Sequence, residues 1–116
     1  MKLYSLNKEH GKHITQYDSN FVMSKILQSS RNVHMGCMHL EQSGVIGWHQ
    51  AKVSQLLIVI AGDGKVRGAE DKWHRVCSGD AVFWQEGEWH ETIAENKGMT
   101  AIVIEGEQLE VQCLEK

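Results

Sequence analysis

The stretch Gln55-Leu56-Leu57-Ile58-Val59-Ile60-Ala61-Gly62-Asp63-Gly64 decides the fold. Its continuous Leu-Leu-Ile-Val-Ile core is too short for an independent helix and rich in β-branched residues. It reads as a strand buried on both faces. Ala61-Gly62-Asp63-Gly64 reads as a hairpin turn, with glycine supplying positive φ. The glycines at 62, 64 and 68 do not make a phosphate loop, because their spacing is wrong and no helix follows.

Outward from this strand the pattern changes every six to ten residues. On the C-terminal side, Lys65-Val66-Arg67 and Trp73-His74-Arg75-Val76 read as a short hairpin. Ser78-Gly79-Asp80 is a turn, with Asp80 a turn residue, and leads into the strand Ala81 to Trp84. Gln85-Glu86-Gly87 leads into a strand from Trp89 to Ala94, and Asn96-Lys97-Gly98 into another from Met99 to Ile104. On the N-terminal side, Phe21 to Leu27 reads as a strand and Val33 to Leu40 as another. The latter places His34, Gly36, Met38 and Leu40 on one face and Val33, Met35, Cys37 and His39 on the other. Gln42-Ser43-Gly44 is a turn before Val45 to Trp48. Gly106 to Leu114 is the one candidate helical stretch, with a weak pattern. About nine short strands with near-regular turns predict an all-β sandwich or closed barrel.

The 116 residues form a single domain, 1–116, with the barrel core about 33–105. Twelve Lys and Arg against fifteen Asp and Glu give a net charge of −3 and a pI near 6.1. That charge argues against nucleic acid or an anionic membrane as partner. The longest apolar run, Leu56 to Ala61, is six residues, too short to cross a bilayer. The first ten residues lack an apolar signal core, so a cytoplasmic location is expected. Cys37, Cys77 and Cys113 are odd in number and form no C-x-x-C, which fits reduced thiols. Cys37 and Cys77 read most simply as small buried apolar residues.

Seven histidines are many for this length, and two of them fall in a pattern. His49 precedes the buried strand and His90 follows Gly87, with Gln55, Gly62 and Gly79 between. These spacings resemble the cupin family, small jelly-roll barrels with two motifs. In the first, G-x5-H-x-H-x3,4-E-x6-G, Gly44 lies one place off the leading glycine and His49 takes the first histidine. Ala51 stands at the second histidine, Gln55 at the glutamate, and Gly62 closes the motif. In the second, G-x5-P-x-G-x2-H-x3-N, Gly79, Gly87 and His90 match, while Gln85 replaces the proline and Ala94 the asparagine. The two motifs span roughly residues 44 to 94. The resemblance implies an all-β, single-domain jelly-roll barrel.

It also implies a metal site, usually of three histidines and one carboxylate. Independently of the family, His49 and His90 directed into a narrow barrel would bring two imidazoles together, and neutral imidazole suits transition metals. The candidate ligands are His49, Gln55 and His90, for a divalent Zn, Fe, Mn, Ni or Cu. One imidazole and the only negative charge are missing from this set, so weakened metal affinity or no metal is expected. Glu88, on His90's face, is a candidate replacement charge and weak candidate base. His39 or His34 is a candidate extra imidazole. Trp48 and Trp84 are candidates to line the mouth with His49, Gln55 and His90 and to stack on a flat ligand.

Plainer roles compete with each of these. The two histidines could be polar core residues, Gln55 a satisfied buried amide, and the four tryptophans core or dimer packing. His10, His13 and His74 read as surface or loop residues. The family includes dioxygenases, isomerases, decarboxylases, sugar-binding and storage proteins, so the fold does not name the reaction. Three functions stand open. One is a cupin-like protein that binds a small molecule in the barrel, with a weakly held metal or none. Another is a metal-dependent dioxygenase or isomerase acting on a small cyclic or aromatic substrate. The third is a non-catalytic structural or regulatory module. The family's common homodimers, in which N-terminal strands extend the partner's sheet, imply the same here through Phe21 to Leu27 or Leu3 to Leu6.

Overall fold

A computed structural model describes residues Met1–Lys116. It contains twelve strands: β1 (Lys2–Ser5), β2 (Lys12–Ile14), β3 (Phe21–Met23), β4 (Leu27–Gln28), β5 (Val33–Leu40), β6 (Val45–Gln50), β7 (Ser54–Arg67), β8 (His74–Cys77), β9 (Asp80–Trp84), β10 (Trp89–Gly106), β11 (Glu110–Val111) and β12 (Leu114–Glu115). Two single 3-10 turns, Lys8–His10 and Gln16–Asp18, are the only helical pieces. No helix is long and apolar enough to cross a membrane.

Eight strands make one sheet, with the path β12-β1-β9-β7-β10-β5 and with β6 joined to β10 and β8 to β7. All its pairings are antiparallel. The expected all-β character is present. The closed barrel is not, because the hydrogen-bonded path ends at β12 and at β5 without meeting. β5 pairs only with β10, and of its eight residues only Met38 and Leu40 are even half-buried.

The turns expected at Ala61–Gly64 and Asn96–Gly98 are not chain reversals. β7 and β10 run straight through them and pair with each other on both sides. Between Ala94 and Met99 the register shifts, so four residues of β10 face Asp63 alone. This bulge bends both strands at one place. Gly62 (φ +83°) and Gly98 (φ +68°) supply the left-handed backbone that the corner needs. Each long strand is thereby shared. The first half of β7 pairs with β9 and the second with β8, while the first half of β10 pairs with β6 and the second with β5.

Continuous apolarity in Leu56–Val59 has a direct cause, since both faces of β7 are covered. Leu57 and Val59 point inward with Val66, Val82, Trp84, Ala94, Met99 and Ala101. Leu56 and Ile58 point outward with Tyr4, Ala81 and Ile104, packed against Leu27 and Val111 of the β4–β11 ribbon and Leu109 just before it. Full burial of such side chains stabilises by about 1.5–3 kcal/mol each. Ile60, past the ribbon, is exposed.

Other expectations need correction. The candidate helix at Gly106–Leu114 is extended chain, held as β11 on β4. The single strand expected over Phe21–Leu27 is split into β3 and β4. Cys37 and Cys77 are exposed, not buried, because Cys37 sits on the free edge strand and Cys77 at the end of β8. All three cysteines are free.

Candidate functional site

β6 and β10 bring the two motif histidines together. His49 and His90 are register partners, with ring centroids 4.3 Å apart and planes tilted by 59°. Between this pair and the next, Ile46 with Thr92, two residues of β6 (Gly47 and Trp48) oppose the single Glu91. This bulge shifts the alternation by one place. Ile46 and His49 therefore both face inward, and Trp48 is left on the outside.

Each imidazole is fixed through Nδ1. His49 Nδ1 donates to the carbonyl of Gly47 at 2.6 Å, and His90 Nδ1 to that of Glu88 at 3.3 Å. A carbonyl only accepts, so each Nδ1 carries the proton and each Nε2 presents a lone pair. The Glu88 carbonyl is aimed by a turn over Gln85–Glu88, closed by the Glu88 N–H on the Gln85 carbonyl. Gly87 occupies its third place at φ +91°, as a type II turn requires.

The inner surface around His90 is polar without being charged. Trp84 is fully buried and stacks on His90, with centroids 4.4 Å apart and planes 22° apart. Gln55, nine-tenths buried, is the register partner of Trp84, and its amide has no hydrogen bond. Thr92 lies two places along β10 from His90. Trp84 Nε1, His90 Nε2 and Thr92 Oγ1 are all buried without a partner. A typical fold leaves few such atoms, and three neighbours on one face mark a surface built to meet something. Burial holds the His90 imidazole below its ordinary value of 6.5. The Glu88 carbonyl opposes this shift, and neighbouring His49 adds to it.

The structure thus brings His49, Gln55, Trp84 and His90 together on the inner face. Trp48 does not join them. It stacks on Trp89 at 5.9 Å, and successive strand residues point to opposite faces, so Trp89 lies opposite His90. The Arg67 guanidinium lies over Trp48 and Trp73, 4.5 and 5.0 Å from their centroids, and is paired with Glu91 and Asp71. Alternation along the sequence puts Thr92 on the face of His90 but assigns it no role, and the outer ladder is what sequence reasoning missed.

The residues present do not fit the family's metal set. Ala51 takes the second histidine position, buried, with its backbone bonded to Gly87 and Glu88. No three His, Cys, Asp or Glu side chains come together. Glu88 meets His90 through its carbonyl, while its carboxylate receives the Met1 amino group and the Gln85 N–H, both at 2.5 Å. His34 pairs in register with Glu105, far along β10 from His90, and His39 lies on the opposite face of β5 from His34.

A family profile described as the cupin domain matches residues 36–105. No curated protein matches. Among solved structures, KdgF from Halomonas superposes with a TM-score of 0.60 at 21% identity, covering 72% of this chain and 77% of that one. An RmlC-like cupin from Shewanella frigidimarina gives 0.60 at 16%, covering 66% and 67%. The DMSP lyase DddQ from Ruegeria pomeroyi gives 0.59 at 15%, covering 89% of this chain and 55% of that one. At these identities the likeness carries the fold alone.

Proposed function

This chain belongs to the cupin family, and on that footing we propose that it binds a small molecule on the inner face of its curled, jelly-roll-like sheet, against His49, Gln55, Trp84, His90 and Thr92. The observation that carries the reading is the set of three buried, unpartnered polar atoms on Trp84, His90 and Thr92. Leaving each unpaired costs about 1–3 kcal/mol, and a ligand that pairs them recovers that cost. His49 is exposed and in contact with His90. The test is a thermal-shift screen of metabolite-sized compounds, repeated on His90→Phe. A compound that raises Tm in the native chain and not in the variant supports the reading. A screen in which no compound acts through His90 rejects it.

A second reading is favoured by one observation, the two Nε2 lone pairs of neighbouring imidazoles. In it, His49 and His90, with the Gln55 amide oxygen, hold a divalent transition metal weakly. The chain then acts as a dioxygenase or isomerase on a small cyclic or aromatic substrate. Metal analysis of untagged protein separates the two readings. A stoichiometric metal that is lost in His49→Ala and His90→Ala favours the enzyme.

For a partner, a second copy of the chain is proposed. β1 is already paired on both edges, by β9 and β12, so of the two arms only Phe21–Met23 is available. Its exposed Phe21 and Met23 suit the free edge of β5 in another copy. Sedimentation of Phe21→Lys against the native chain tests this. The three free thiols are in keeping with a cytoplasmic setting.

A further inference from the structure

The ligand class follows from which groups line the inner face and which are missing from it. Every unpaired group there is neutral: an indole N–H on Trp84, an imidazole lone pair on His90, a hydroxyl on Thr92 and an amide on Gln55. The Glu88 carboxylate and the Met1 amino group are committed to each other, and the carboxylate also receives the Gln85 N–H. Arg67 lies on the outer face, bound to Glu91 and Asp71. A carboxylate or an ammonium brought against Trp84 and His90 would lose its hydration and meet no uncommitted opposite charge.

Direction matters as well as charge. With Nδ1–H given to the Glu88 carbonyl, His90 Nε2 can only accept, so the ligand must donate to it. The Trp84 indole can only donate, so the ligand must also accept. Stacking of the two rings at 4.4 Å places the acceptor and the donor on adjoining side chains. Thr92 Oγ1 can do either. A primary amide or lactam offers an N–H beside a C=O with no net charge.

We propose that the inner site selects an uncharged molecule of the amide or lactam class and rejects the isosteric carboxylate. The inference rests on the proposed small-molecule reading and narrows it.

The probes are acetamide and acetate, nearly equal in shape and different in charge. The readout is the Trp84 indole N–H resonance of the intact 116-residue chain, assigned by its loss in Trp84→Phe. Acetamide is expected to move this resonance in a saturable way, with an apparent affinity at least about tenfold above that of acetate. Thr92→Val, close in shape and lacking the hydroxyl's hydrogen bonding, is expected to weaken the acetamide response while the other backbone resonances stay in place. If acetate moves the resonance as strongly, the uncharged class is overturned and the small-molecule reading stands. If neither probe moves it, both fall, and the three atoms are served by buried water alone.

Discussion

Gly62 and Gly98 face each other at the corner where β7 and β10 bend, and a β-carbon on Gly62 would collide with the carbonyl oxygen of Gly98. Gly62 is also at φ +83°, where a side chain is strained whatever the space. The corner therefore requires glycine twice over. Gly62→Ala is expected to cost about 2–4 kcal/mol in urea unfolding. Gly47→Ala, where a β-carbon meets nothing within 4 Å, is expected to stay within about 0.5 kcal/mol. Equal effects at the two positions would mean that the corner is not under steric constraint.

Truncation of the inner core should separate cleanly from truncation of the free edge. Leu57, 1% exposed and surrounded by the inner cluster, is expected to lose about 2–5 kcal/mol on replacement by Ala. Met35→Ala, on β5 and 66% exposed, is expected to change stability by less than about 0.5 kcal/mol in the monomer. Denaturant midpoints of the two variants, at a protein concentration where association is absent, check this.

The pH dependence follows from His90. Burial lowers its pKa below the ordinary value of 6.5, so below that value the unfolded chain takes up a proton more readily than the folded chain does. Its contribution to stability is complete above pH 6.5 and is lost as the pH falls below it, toward the folded-state value. Between about pH 7 and about pH 5 the native chain should therefore lose more stability than His90→Phe does. A parallel fall in both proteins would place the imidazole in a water-like setting and contradict its burial.

The outer ladder can be tested through Arg67. Its guanidinium lies over Trp48 and Trp73 while bonding Glu91 and Asp71, a combination of stacking and forked hydrogen bonding that lysine cannot reproduce. Arg67→Lys is expected to lower Tm and to change the near-ultraviolet circular dichroism of the stacked tryptophans. Binding at the inner site should be unaffected. An unchanged tryptophan signal would show that Arg67 does not order the ladder.

Much of this was legible from residue order. Alternation along Val33–Leu40 assigns the same two faces that the β10 register shows, with His34, Gly36, Met38 and Leu40 opposite Glu105, Val103, Ala101 and Met99. Doubly apolar Leu56–Val59 implied cover on both sides, though not that the β4–β11 ribbon would supply one of them. The corner reads in the sequence as a hairpin turn and a second turn, because Gly-Asp-Gly and Asn-Lys-Gly serve equally where a chain reverses and where a bulged strand bends. Which of the two occurs depends on the neighbouring strand, and its register is not local information. Trp48 and His49 are both candidates for the mouth by residue type, yet as neighbours on one strand they point to opposite faces. What only the pairing with Glu91 reveals is the extra residue that lets Ile46 share the face of His49, with Trp48 outside.

Residue order alone determined the all-β class, the apolar core and the candidacy of His49 and His90 as a pair, because these depend on period, on side-chain volume and on motif spacing. Tertiary structure alone decided that the sheet stays open at β5 and that Glu88 is engaged elsewhere. It also left three neutral polar atoms buried without partners. Hydrogen-bond satisfaction is a property of positions in space, and distant stretches of chain settle it only when they meet.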